Sequence, residues 1–338
     1  MTIRSYRSLR EHQPGPFLTG LAQPHVIRSI PAVPEPFIGY ATQQRRITER
    51  LAQPGVIAIS GMVGSGKTAL AAAYLHQCEL TSHWIEIEAG LNDSIDALLW
   101  QLAQPLAAGA PTIWRALHRV QQSSWHYPAL TRLQMILEGY AALSKPMLVC
   151  IDRIERVAQS PLERLIVSLC DYVAQMRHTN LKLLLCGRAI PYDLHPYSLP
   201  PLEGLSAQEI GAWAERIGVP LEHTVTTQLH SETGGLPQAL ALILTELRES
   251  GDVASRHLMA LPQLRRFVNR VLGELPADAR TILKRLVLGE DSPASIGFDD
   301  LSHLDLLERH GLLQCIAEHK IAVHPLIQSF VMYHLSAG

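Results

Sequence analysis

Eight consecutive residues constrain this chain more than any other feature. Gly61-Met62-Val63-Gly64-Ser65-Gly66-Lys67-Thr68 fits G-x-x-x-x-G-K-[ST] in full. The apolar run Val56–Ile59 precedes it, and the strong helix former Ala69-Leu70-Ala71-Ala72-Ala73-Tyr74-Leu75 follows. A strand that passes through glycines into a helix aims consecutive backbone N–H groups at one point, because glycine accepts positive φ and lets a ligand approach the main chain. The helix start adds orphan N–H donors and the positive end of its dipole. Gly61, Val63, Gly64, Ser65, Gly66 and Ala69 are therefore expected to surround a chain of phosphates. Lys67 would reach its β- and γ-phosphates, and the Thr68 hydroxyl would ligate Mg²⁺.

Such a loop needs a second acid for the metal. Met147-Leu148-Val149-Cys150-Ile151-Asp152 supplies one, as an apolar strand delivering a carboxylate to its C-terminal edge, where α/β sheets bind ligands. Asp152 is thus read as the Mg²⁺-side carboxylate. Arg153 follows it, where many hydrolysing relatives place a second acid, so Glu155 is the remaining candidate to polarise an attacking water. A carboxylate at the start of a helix is also an ordinary dipole-favoured residue. Arg188 follows the run Leu181–Leu185, at a strand end suited to bidentate pairing with a γ-phosphate.

Around these motifs, the runs 56–59, 84–87, 147–151 and 181–185 alternate with helix-length amphipathic stretches, which predicts a parallel α/β sheet covered on both faces by helices. After Leu202 the pattern becomes helical. Ser206-Ala207-Gln208-Glu209 has the form of a capping box, with Ile210, Trp213 and Ile217 at helical spacing behind it, and segments near 221–232 and 237–249 continue as helices. The last 75 or so residues read as a second helical module with one hairpin, Leu312–Ile316 and Lys320–Val323. Residues 1–36, with Pro14, Pro16, Pro24, Pro31, Pro34 and Pro36, read as an arm.

Composition excludes several classes. At 338 residues the chain has room for two or three domains, and 47% hydrophobic residues give ample material for buried cores. Its net charge of −2 advertises neither nucleic acid nor an acidic membrane. No apolar stretch is long enough to span a bilayer, and the start, with Arg4, Arg7 and Arg10, lacks a secretory signal's apolar core. Arg and Ser there hint at a transit peptide, but Glu11, Gln13 and Pro14 break that pattern. Five scattered cysteines without a CxxC argue against a disulfide framework or a cysteine zinc site. The expectation is a reduced, cytoplasmic protein.

Six landmarks together resemble the STAND-class P-loop NTPases, whose nucleotide-binding module is of NB-ARC/AAA+-like type. Phe37-Ile38-Gly39-Tyr40 resembles the opening FxGRE segment, with Tyr40 where arginine is usual. Gly61–Thr68 resembles Walker A and Leu148–Asp152 Walker B, and Arg188 falls where the family carries its sensor-1 arginine. Gly235-Leu236-Pro237-Gln238-Ala239-Leu240 is similar to GLPLAL, whose proline packs on adenine. Val323-His324-Pro325-Leu326 resembles the bacterial MHD motif, whose histidine touches the β-phosphate of ADP. The resemblance implies a P-loop NTPase domain at 37–202, a small helical domain at 203–255 and a winged-helix domain at 256–338. It also implies an ATP/ADP switch with slow hydrolysis, in which Phe37, Ile38, Gly39, Pro237 and His324 join the loop in holding nucleotide. Self-oligomerisation and separate effector or sensor proteins are the partners it implies.

Two other classes compete. One is an AAA+-like ATPase of DNA transactions, a loader or transposition regulator. Residues 264–338 carry eight Lys/Arg against nine Asp/Glu, and the stretch near 299–309 that would read a groove holds Asp299, Asp300, Asp305 and Glu308, the wrong sign for phosphate neutralisation. The other is a non-hydrolysing nucleotide-binding scaffold, suggested by Arg153.

Overall fold

The computed structural model describes residues 29–53, 55–122, 127–176, 180–250, 258–289, 300–317 and 320–336. Residues 1–28 of the expected arm, the boundary expected at 255/256, and Glu290, Asp291, Asp299 and Glu318 of the charge comparison lie outside them.

Helix α1 (Ala41–Ala52) leads into β1 (Val56–Ile59), and the glycine loop then opens α2 (Lys67–Gln77). Next come β2 (Thr81–Glu86), α3 (Ile95–Ala103), α4 (Pro111–Gln122) and α5 (Ala129–Ala141). They are followed by β3 (Met147–Asp152), α6 (Pro161–Gln175) and β4 (Leu181–Cys186). The four strands form one parallel sheet in the order β1-β4-β3-β2. Beyond it, the segment Ser198–Leu202 runs along β1, where Leu199 and Leu202 donate backbone N–H groups to Ala58 and Ser60. Pro200 and Pro201 cannot donate, so the pairing stays a fragment of an edge strand.

Side chains alternate across the sheet. Ile57, Ile59, Leu148, Cys150, Leu184 and Cys186 face α2, while Val56, Ala58, Val149, Ile151, Leu183 and Leu185 pack against Leu98, Leu102, Leu133, Ile136, Leu165 and Leu169 of α3, α5 and α6. Three strands sit at or near full burial, which is why they read as apolar runs; of the two outer strands, β1 is flanked by 198–202 and β2 is the half-exposed one. β2 begins at Thr81, three residues before the apolar run expected to form it, because Thr81, Ser82 and His83 lie on that exposed or half-buried edge.

The helical half follows: α7 (Ala207–Arg216), α8 (His223–Thr233) and α9 (Pro237–Ser250). The capping box is present, with Ser206 Oγ accepting from the Glu209 N–H and the Glu209 carboxylate accepting from the Ser206 N–H. Then come α10 (Pro262–Gly273), α11 (Ala277–Leu288) and α12 (Leu301–Arg309). The antiparallel hairpin β5 (Leu313–Ala317) and β6 (Lys320–Val323) and helix α13 (Pro325–Ser336) complete the chain's described elements. Leu236, Leu240, Leu264, Leu326 and Ile327 of this half share one hydrophobic core with Ile57, Leu70 and Leu184 of the sheet side.

Candidate functional site

The glycine loop has the conformation its sequence requires. Gly64 and Gly66 take φ of 84° and 86°, and Gly66 caps α2 in the left-handed region that side-chain-bearing residues avoid. A Cβ on Gly66 would also meet the Tyr40 hydroxyl at 3.1 Å. Lys67 folds back into the loop, where Nζ donates to the carbonyls of Gly61 and Met62 at 2.8 and 2.9 Å and to Ser65 Oγ at 3.3 Å. Burial lowers its pKa to about 8, against the opposing pull of Glu155, Cys186 and Asp152. A desolvated ammonium held only by neutral oxygens is an incomplete pair, and a phosphate would complete it.

Thr68 and Asp152 come together as expected: Thr68 Oγ1 donates to Asp152 Oδ2 at 2.9 Å, and the other carboxylate oxygen accepts from the Arg153 N–H at 2.8 Å. Burial raises the Asp152 pKa, partly offset by those two hydrogen bonds. Among the described residues no cluster of three or more His, Cys, Asp or Glu is placed to hold a metal by itself. A hydroxyl and one carboxylate beside a phosphate cradle suit Mg²⁺, which keeps waters and takes its other ligands from phosphates.

Arg153 turns away in a left-handed conformation (φ 63°), and its Nη2 lies 2.6 Å from Glu86 Oε1 at the end of β2. Glu155 lies on a 3₁₀ turn (Ile154–Val157); its Oε2 accepts from the Arg188 N–H at 3.0 Å, and its Oε1 lies 3.6 Å from Arg188 Nε. Arg188 also donates through Nη1 to Glu274, just beyond α10. The expected phosphate sensor is therefore engaged by one carboxylate of the sheet side and one of the C-terminal side.

A cavity of about 410 Å³ adjoins the loop. Gly64, Gly66, Lys67, Thr68 and Ala69 form one end of its lining; Phe37, Ile38, Trp213, Pro237, Gln238 and Ala241 contribute to the rest, together with Pro34, Pro36, Tyr40 and Leu205. Gly61, Val63 and Ser65 belong to the same loop but not to this lining. Gly39 sits behind it, where a Cβ would strike Leu205 at 2.6 Å. Tyr40 donates its hydroxyl to the Ser65 carbonyl at 2.6 Å, so it clamps the loop directly.

His324 lies outside the cavity lining, against Gly234, where an added Cβ would meet its Cε1 at 3.0 Å. Its Nδ1 accepts from the Leu326 N–H at 3.2 Å, and burial lowers its pKa to about 4. It is a neutral imidazole at neutral pH, with the proton on Nε2. Sequence patterns did not reveal Trp213, whose helical spacing reads equally as core, or Gly311, where an added Cβ would meet Met62 N at 2.7 Å. They also missed Glu86 and Glu274, which no local motif marks.

Residues 50–192 match the family model described as an AAA domain. The fold is that of a P-loop NTPase. The structure is similar to the Walker-type ATPase of Pyrococcus abyssi over 89% of this chain and 97% of the other, with a TM-score of 0.58 and 15% identity. It is also similar to a STAND protein with a tetratricopeptide repeat sensor from Pyrococcus horikoshii, with a TM-score of 0.50 and 20% identity. That match covers 89% of this chain and 43% of the other, so the chain spans less than half of that protein. No curated protein matches the sequence. At these identities the likeness speaks for the fold. No helix among the described residues is long and apolar enough to cross a membrane.

Proposed function

We propose that the chain is an ATP/ADP-binding switch of the STAND type, with a P-loop domain at 37–202, a small helical domain at 203–255 and a winged-helix domain at 256–338. The cavity carries this reading: its phosphate end is the glycine loop, while Trp213, Pro237 and Ala241 come from the helical segment. One nucleotide would therefore touch both. The Pro- and aromatic-lined end suits a flat base, and the cradle with Lys67 suits phosphates. Thr68 and Asp152 would hold Mg²⁺, which supplies charge neutralisation at the phosphate oxygens.

The C-terminal module supports the same reading through Gly311 on Met62 and through His324, whose Nε2–H is a donor for a β-phosphate reached past Gly234. A diphosphate bridging these parts would favour the docked form, and ATP shifts the balance only by preferring the open one. Arg188 gives a means for that preference, since a γ-phosphate would compete with Glu274 for its guanidinium. The open form would then self-associate or engage effector and sensor proteins. The test is to identify the nucleotide that copurifies and to measure mass before and after adding ATP. Bound ADP with a mass increase is expected, and His324→Ala should retain less ADP. An empty protein of unchanged mass overturns the reading.

A non-hydrolysing scaffold is the second reading, favoured by Arg153 beside Asp152. Equal phosphate release from the wild type, Lys67→Ala and Glu155→Gln would support it.

A further inference from the structure

We propose that Glu86, at the end of β2, is the carboxylate that orients and deprotonates the attacking water, with Arg153 as its positioning residue. This rests on reading the cleft as one that hydrolyses a nucleoside triphosphate.

Register places the group. Parallel pairing of β2 with β3 sets Glu86 opposite Asp152, so neighbouring strands deliver two acids side by side to the C-terminal edge of the sheet. The side chain of Glu86 is 11% exposed, whereas that of Arg153 is 41% exposed. The carboxylate is thus the more buried member of the pair, and the guanidinium the more exposed one. Two carboxylates at adjacent register positions repel each other, and the Arg153 charge offsets that repulsion while fixing the direction of Glu86. An arginine after Asp152 is then not a missing acid but the holder of an acid from the next strand.

The backbone beneath Glu86 is fixed as well. Asn92, 8% exposed, donates its side-chain amide to the Glu86 carbonyl and accepts the Glu88 N–H at 2.6 Å. A buried side chain holding both flanks of the strand end keeps the carboxylate in one place, as positional catalysis requires. Glu155 accepts the Arg188 N–H at 3.0 Å and so holds that residue's backbone as well as its side chain.

In the step itself, a lone pair of the water oxygen forms a bond to the γ-phosphorus as the bond from that phosphorus to the β–γ bridging oxygen breaks. The bond electrons leave on the nucleoside diphosphate. The water proton passes to a Glu86 oxygen and from there to the released phosphate.

The experiment measures phosphate release from ATP together with fluorescent-nucleotide affinity. Glu86→Gln should lower kcat by about 100-fold or more, the scale of general-base catalysis, with nucleotide affinity within about threefold of wild type. Arg153→Gln should cost about tenfold in kcat, and Arg153→Lys should restore most of it, as a positioning charge predicts. Wild-type turnover in Glu86→Gln overturns the proposal. So do equal losses in Glu86→Gln and Arg153→Gln, or loss of nucleotide affinity in Glu86→Gln, which would show a purely structural ion pair. If the wild type releases no more phosphate than Lys67→Ala, the hydrolysis reading itself fails, and this assignment with it.

Discussion

At the glycine-loop end of the cleft, the lining comes from one loop and the helix it opens; at the other end, Phe37, Trp213 and Pro237 arrive from three separate stretches of chain. The first end is made of backbone conformation, set by Gly64 and Gly66 and secured by the Tyr40 hydroxyl on Ser65. The second exists only while the helical segment lies against the sheet. On the proposed reading, a nucleotide would be gripped at one end by a locally made loop and at the other only in the docked arrangement, so its retention would report on domain docking.

Five experiments bear on that contrast. Lys67→Ala should abolish the anchor, weakening nucleotide binding by about 100-fold or more, because it removes the loop's charged donor to the phosphates; calorimetric titration with ADP reads this directly. Gly311→Val should attack the docked arrangement instead. With φ at 69° and Met62 N 2.7 Å from the new Cβ, it should cost about 2–3 kcal/mol in urea unfolding and speed proteolysis between the modules.

Raising pH should loosen the anchor alone. The Lys67 ammonium loses its proton near pH 8 in the ligand-free cradle, and phosphates prefer the charged form. Nucleotide binding then takes up a proton, so affinity should fall towards about tenfold per pH unit above 8 and stay flat below it. Equal affinity at pH 7 and pH 9.5 would contradict this. Trp213→Ala should weaken ADP by about tenfold while leaving tripolyphosphate unchanged, because only the base meets that ring; an equal loss for both ligands would erase the distinction between the two ends. Glu274→Gln is expected to have the smallest effect. It frees Arg188 from a partly exposed bridge worth less than about 1 kcal/mol, visible as a small drop in melting temperature without loss of ADP affinity.

What could be read from the sequence follows the same division. Buried strands announce themselves, so β1, β3 and β4 stand where apolar runs occur, whereas the polar first half of β2 is hidden by its place at the edge. Contiguous motifs carry their geometry with them: the glycines, Lys67 and Thr68 sit in a cradle, and Asp152 meets Thr68. Residues whose meaning depends on a distant partner were not legible. Tyr40 reads as a departure from a motif until its hydroxyl is seen on the loop it braces. Gly311 belongs to no motif, and its importance shows only where Met62 is found against it. Glu274 is one acid among many until Arg188 reaches it. Patterns along a chain record local conformation well, but they record a distant contact only when each half carries a motif of its own, as Thr68 and Asp152 do.

The apolar core on the α2 side of the sheet runs without a break into α9, α10 and α13. Rotating the C-terminal helices away would therefore wet greasy surface on both sides of the parting line, and water resists that in proportion to the area exposed. On the proposed switch, an open form would carry two bare apolar faces, and another copy in the same state would offer the same pair to cover them. Assembly would then be driven by the cost of opening, with no dedicated docking patch required.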